Sequence, residues 1–155
     1  MVLKDGKGYI KEYNYDGKLL FEGEYLNGEF NGKGKQYNFI NGNLQFEGEY
    51  LYGKRNGKGK EYNLNGKLEF EGEYLNNFKI KGREYLNGKL EFEGKYFNNK
   101  KWNGKGYDEN SKITYELING NGHIKEYKDY ILQFEGEFLN GKKMEKEKNI
   151  IIKVN

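Results

Sequence analysis

Apolar and polar positions alternate with a period of two along most of the chain. In the stretch from Leu68 to Tyr74, Leu68, Phe70, Gly72 and Tyr74 are separated by Glu69, Glu71 and Glu73. A period of two puts successive side chains on opposite faces, so the pattern predicts a strand with one packed and one wet face. The same parity holds for Leu44, Phe46, Gly48 and Tyr50, and for Leu90, Phe92, Gly94 and Tyr96; a helical period does not fit. The strands recur. FEGEY or a close variant begins at Phe21, Phe46, Phe70, Phe92 and Phe134, at intervals of 25, 24, 22 and 42 residues. A second phrase interleaves with it: GKGYIKEY from Gly6, GKGKQY from Gly32, GKGKEY from Gly57, IKGREY from Ile80, GKGY from Gly104 and GNGHIKEY from Gly120. The interval of 42 holds about two units, and Ile113 to Tyr127 reads as a degenerate copy. A period in the twenties means a repeat array.

Each unit reads as a β-hairpin. Turns such as Asn41-Gly42, Asn65-Gly66 and Asn87-Gly88 join the strands, since Asn-Gly tolerates positive φ. Setting Tyr50 opposite Gly57, across a loop from Leu51 to Asn56, pairs Glu49 with Lys58, Gly48 with Gly59 and Glu47 with Lys60. The same rule pairs Glu24 with Lys33, Gly23 with Gly34 and Glu22 with Lys35, then Glu73 with Lys81, Gly72 with Gly82 and Glu71 with Arg83. Each opposite-charge pair contributes roughly 0.2–1 kcal/mol and discourages slippage. The paired glycines leave room for aromatic rings to lie across the backbone. In the fourth unit the rule sets Lys95 against Lys105, a like-charge pair. The Tyr of "KEY" falls out of parity, which predicts a bulge or altered strand end. Residues 142–155 lack the GKG phrase and read as a cap with Ile150 to Val154 as a final strand, covering an edge that would otherwise invite association.

The two phrases together resemble MORN (membrane occupation and recognition nexus) repeats. Phe21, Glu22, Gly23, Tyr25, Asn27, Gly28, Gly32 and Gly34 match that pattern. Phe46, Glu47, Gly48, Tyr50, Gly53, Gly57 and Gly59 match it again with Tyr52 in place of Asn, and Phe70, Glu71, Gly72, Tyr74 and Asn76 match in the third copy, where Asn77 and Ile80 stand for Gly. The family usually has Trp at the second aromatic position, where this chain has Tyr or Phe. The resemblance implies an all-β, single-layer antiparallel β-hairpin solenoid of about six repeats. Roughly a dozen strands at ~4.8 Å would make a rod of about 60 Å. On this reading residues 1–155 are one array, with 1–20 a partial unit and 21–141 the repeats. The resemblance also implies a scaffold or protein-binding surface and raises the prospect of a homodimer; membrane-lipid binding has been proposed for the family.

Composition agrees with strands. Aromatics are 17% of residues, Gly numbers 23, and Pro, Cys and Ala are absent. With 35% hydrophobic and 33% charged residues, the buried layer is expected to be thin and aromatic. The net charge of +3, from 27 basic and 24 acidic residues, does not suit a nucleic-acid domain. Without Cys there is no disulfide, thiolate nucleophile or Cys-ligated zinc. The chain has no apolar stretch of signal-peptide or membrane-span length, so a cytoplasmic location is expected, with a peripheral membrane location as the alternative.

The chemistry-bearing residues are few. Ser111, Thr114 and His123 are the single Ser, Thr and His, all in the degenerate unit, and nothing like a nucleophile elbow surrounds Ser111. The Asp residues at 5, 16, 108 and 129 have no calcium-loop spacing, and the GKG phrases lack the strand–turn–helix context of a phosphate loop. No enzyme activity, metal or cofactor is expected. Two surfaces remain. An aromatic column of Phe21, Tyr25, Phe46, Tyr50, Phe70, Tyr74, Phe92 and Tyr96 forms the array core and, through its Tyr residues, a candidate groove for a peptide or protein. The alternative is a peripheral site for anionic phospholipid built from Lys33, Lys35, Lys58, Lys60, Lys81 and Arg83; a carbohydrate platform is a third idea. Trp102 is placed in a loop, packing on a neighbouring unit.

Overall fold

The computed structural model describes residues 5–128 and 131–144. The strand expected from Ile150 to Val154 lies outside the described residues. The chain folds into successive antiparallel hairpins with no helix among the described residues. The strands are β1 Lys7–Tyr13, β2 Leu19–Leu26, β3 Glu29–Tyr37, β4 Leu44–Leu51, β5 Lys54–Tyr62, β6 Leu68–Leu75, β7 Phe78–Leu86, β8 Lys89–Phe97 and β9 Lys100–Tyr107, then β10 Ile113–Leu117, β11 Gly122–Lys128, β12 Ile131–Leu139 and β13 Lys142–Lys143. Strands β1 to β10 form one open sheet in sequence order, and β11 to β13 form a second. The architecture is therefore the all-β hairpin solenoid that the repeats predict.

Two kinds of connection alternate along the array. On one edge the turns have two central residues, both with positive φ: Asn27-Gly28, Tyr52-Gly53, Asn76-Asn77 and Asn98-Asn99. This is the backbone that the right-handed strand twist favours. On the other edge an Asn or Asp follows the strand and its Oδ1 accepts backbone N–H groups. Asn63 takes those of Asn65 and Lys67, and Asp108 those of Asn110 and Lys112. Asn41-Gly42 and Asn65-Gly66 lie in these longer loops, not in two-residue turns. Asn87-Gly88 is a two-residue turn on this same edge; together with a β6–β7 hairpin one residue shorter than β4–β5, it brings the repeat interval there to 22 residues.

The register agrees with most expected pairs. Glu22 faces Lys35, Glu47 faces Lys60, Glu71 faces Arg83 and Glu73 faces Lys81. Tyr50, however, pairs with Arg55 and not with Gly57. The turn is only Tyr52-Gly53, and a bulge around Gly57 (φ 101) absorbs the extra residues. Glu24 and Glu49 are consequently off the ladder within their hairpins; each accepts the backbone N–H of the expected lysine, Lys33 or Lys58. Lys95 does not face Lys105. It faces Asn103, and Lys105 faces Glu93, because the Asn98-Asn99 turn is as short as the others. The like-charge meeting falls instead between Lys81 and Lys95. The predicted bulge at the KEY tyrosines is present at Tyr13, Tyr37, Tyr62, Tyr85 and Tyr127.

Through the middle runs a ladder of eight glycines, Gly23, Gly34, Gly48, Gly59, Gly72, Gly82, Gly94 and Gly104, paired in succession across β2 to β9. It is bracketed by Ile10 on β1 and Leu117 on β10. A single continuous hydrogen-bonded ribbon was expected; the break after β10 falls at Leu117. Its side chain, 2% exposed, fills a position that glycine leaves empty elsewhere. Between β10 and β11 an isolated bridge, Ile118 to Asn121, and a hydroxyl bond from Thr114 to the Lys125 carbonyl take the place of a strand ladder.

Candidate functional site

The two faces of the sheet differ completely. On one, the rings of Phe46, Phe70 and Phe92 are wholly buried and lie against the glycine ladder. Each is met by two tyrosines, as when Phe46 contacts Tyr50 edge-on at 5.5 Å and Tyr74 of the next hairpin edge-on at 5.4 Å. These T-shaped contacts add about 0.5–1.5 kcal/mol each beyond area burial. A cation closes each ring from outside: Arg55 over Phe46 at 4.1 Å, Lys79 over Phe70 at 4.2 Å and Lys101 over Phe92 at 5.1 Å. Carboxylates hold these cations, Glu61 lying between Arg55 (2.6 Å) and Lys79 (2.9 Å) and Glu84 reaching Lys101 (3.2 Å). Burial draws the Lys101 pKa down, but Glu84 and Glu91 outweigh it and leave it raised. In the first hairpin Phe30 takes the cation's place and stacks on Phe21.

This packing corrects the expected aromatic groove. Of the eight aromatics proposed for it, Phe21, Phe46, Tyr50, Phe70, Tyr74, Phe92 and Tyr96 are core, and Tyr25 is half-buried. A thin layer closes because the cations and the next hairpin's tyrosine cover each ring, so of these eight side chains Tyr25 alone keeps appreciable exposure.

The opposite face carries a groove of about 1000 Å3 with the glycine ladder as its floor. Two rows of charge flank it. The inner row is Lys11, Glu22, Lys35, Glu47, Lys60, Glu71, Arg83, Glu93, Lys105 and Glu116, one residue per strand from β1 to β10, with the sign alternating at every step. The outer row, two positions away, runs Glu24, Lys33, Glu49, Lys58, Glu73, Lys81 and Lys95 on β2 to β8. All six cations proposed for lipid binding, Lys33, Lys35, Lys58, Lys60, Lys81 and Arg83, are brought together here. The seven cations lining the groove are matched by seven glutamates, so it carries no net charge. Several pairs are close: Lys81–Glu73 at 3.1 Å, Arg83–Glu93 at 3.0 Å and Lys11–Glu22 at 3.1 Å.

The bulge after the inner row turns the KEY tyrosines to this face, where Tyr37, Tyr62 and Tyr85 donate hydroxyls to Glu22 (2.7 Å), Glu47 (2.7 Å) and Glu71 (2.6 Å). Burial, then the bonded carboxylate, pushes Tyr37 and Tyr62 up to about 12. Glu22 is held below the usual carboxylate range by the Tyr37 hydroxyl and then by Lys11. Beyond the outer row, at the tight-turn edge, Leu51, Leu75, Phe78 and Phe97 are exposed.

Sequence reasoning missed the ring-capping cations, although the signal was there: Arg55, Lys79 and Lys101 each stand nine residues after a repeat Phe. Trp102 lies on β9 and not in a loop; its ring packs against Phe97, and its carbonyl accepts the Gly120 N–H. Ser111 lies in an exposed turn, while His123 lies on β11 with its ring nitrogens 3.2 and 3.1 Å from Glu135 and Glu137. No cluster of metal-ligating side chains occurs among the described residues. Nor, among those residues, is any helix long and apolar enough to cross a membrane.

No family model matches the chain, and no curated protein matches it either.

Proposed function

We propose that the chain is a MORN-type repeat array serving as a non-catalytic interaction module, and that it binds a peptide or protein on the glycine-floored groove. The observation that carries this reading is the groove itself: an open channel over a backbone floor, bounded by ordered rows of both charge signs and an exposed apolar margin. Charges in a fixed pattern give register and partner choice more than raw affinity, and the apolar margin supplies area to bury. The equal number of cations and glutamates argues against attraction to anionic lipid, which needs a net basic surface.

The test compares the wild-type chain with a Lys58→Gln/Lys60→Gln variant of unchanged circular dichroism, in affinity purification from the native cell. Loss of the co-purifying proteins supports the groove; recovery of the same proteins rejects it. Sedimentation with phosphatidylserine vesicles separates the rival. The wild-type chain should stay in the supernatant, and salt-sensitive pelleting would turn the assignment to lipid.

A further inference from the structure

The inner row has an even number of charges that strictly alternate, beginning with Lys11 and ending with Glu116. Such a row is complementary to its own reverse. The geometry points to a second copy of this chain as the occupant of the groove face, docked face to face about a two-fold axis that runs parallel to the strands between β5 and β6. This rests on the reading of that face as the interaction surface and names its partner.

The two-fold reverses the order of strands and keeps the edges aligned, so β5 of one copy faces β6 of the other, β4 faces β7 and β3 faces β8. Lys60 then meets Glu71 of the second copy, Glu47 meets Arg83 and Lys35 meets Glu93, each contact occurring twice. The matching continues to both ends of the row. In the outer row Glu49 meets Lys81 and Lys58 meets Glu73, with one like-charge meeting, Lys33 to Lys95, away from the axis. At the apolar margin Leu51, 39% exposed, meets Phe78, 47% exposed. Shifting the two copies by one strand sets like charges against each other along the whole inner row; a shift by two strands restores opposite signs but leaves eight of the ten contacts, so the full overlap is the favoured register. An isologous contact of this kind closes on itself as a dimer. Ten strands at about 4.8 Å, crossed by five residues of width at about 3.3 Å, give a flat face on the order of 600–800 Å2 per copy, the scale of a standard interface. The two half-channels would close over the glycine ladders as a shared tunnel.

The experiment is sedimentation equilibrium of the full chain in low and high salt, with charge-reversed variants. The wild-type chain should dimerise in low salt and dissociate as salt rises. Lys60→Glu alone sets two carboxylates against each other at the contact beside the axis. Glu71→Lys alone sets two ammonium groups against each other at the same contact. Each substitution should weaken self-association at least about tenfold. Mixed together, the two variants restore every contact across the axis in the heterodimer, and the mixture should dimerise again. A fold defect would not be rescued by mixing, so monomeric variants that remain monomeric when mixed overturn the proposal. A wild-type chain that is monomeric at all concentrations in low salt also overturns it. In that case the co-purification test above still decides separately whether the groove serves another partner.

Discussion

The ring of Phe46 lies directly across Gly59 on the neighbouring strand: a Cβ built on Gly59 would stand 2.5 Å from the Phe46 ζ carbon. Both the ring and the backbone are held by the ladder, so neither can give way cheaply. Gly59→Ala should therefore lose about 1–3 kcal/mol by overpacking, read as a lower midpoint in urea. Gly17→Ala provides the comparison, since a Cβ there meets nothing within 4 Å and only its positive φ opposes it. Equal losses at the two sites would show that the ring–glycine contact is not what the ladder protects.

The hydroxyls of Tyr50, Tyr74 and Tyr96 are buried with no hydrogen-bond partner among the described residues. Burial drives the Tyr74 pKa up strongly, Glu61 adding to it. Removing an unsatisfied hydroxyl without changing ring shape removes a desolvation cost, so Tyr74→Phe should be neutral or stabilise by up to about 1 kcal/mol. Tyr62→Phe should do the opposite, losing about 1 kcal/mol with its 2.7 Å bond to Glu47. Thermal melts of the two variants should move in opposite directions or differ by several degrees.

Lys101 is 16% exposed and lies between Glu84 at 3.2 Å and Glu91 at 3.7 Å, over the Phe92 ring. Lys101→Met keeps the aliphatic stem but leaves two half-buried carboxylates facing each other. A loss of roughly 2 kcal/mol is expected, between the values for exposed and fully buried pairs. Adding Glu84→Gln to Lys101→Met should recover part of the loss; an undiminished loss in the double variant would assign it to packing alone.

The tyrosines facing the groove predict alkaline lability. Tyr37 and Tyr62 have folded pKa values raised to about 12, against 10.0 for the free side chain. Between those values the folded state holds protons that the unfolded state releases. Their contribution is therefore complete below about pH 10 and is lost as pH rises through about 12. The urea midpoint should fall over that window, and ultraviolet titration should show these tyrosinates appearing together with unfolding. Their smooth ionisation near the free side-chain value in the folded chain would contradict the buried bonds to Glu22 and Glu47.

How much of this was legible in advance depended on distance along the chain. Parity put Phe46, Gly48 and Tyr50 on one face, and phrase pairing matched Glu47 with Lys60, because both follow from the two-residue period and a hairpin of nearly constant length. Partners near the tight turns were misplaced: Tyr50 met Arg55 because a bulge absorbs the residues given to the loop, and Lys95 met Asn103 because the Asn98-Asn99 turn is short. The bulge at each KEY tyrosine shows as broken parity, whereas the one at Gly57 does not, because the Gly57-Lys58-Gly59 alternation continues unbroken beside it.

Alternation, the Asn and Gly positions and the spacing of the phrases by themselves determined a β-hairpin array with acid set against base, since these are local or nearest-neighbour properties. Which face stays open was decided only by the tertiary structure. Arg55, Lys79 and Lys101 fold over the rings and each hairpin lends a tyrosine to the one before, so the aromatic side closes while the charged side, floored by glycine, stays hollow. That outcome depends on side chains from successive hairpins meeting across strands, and such contacts exist only once the array has been stacked.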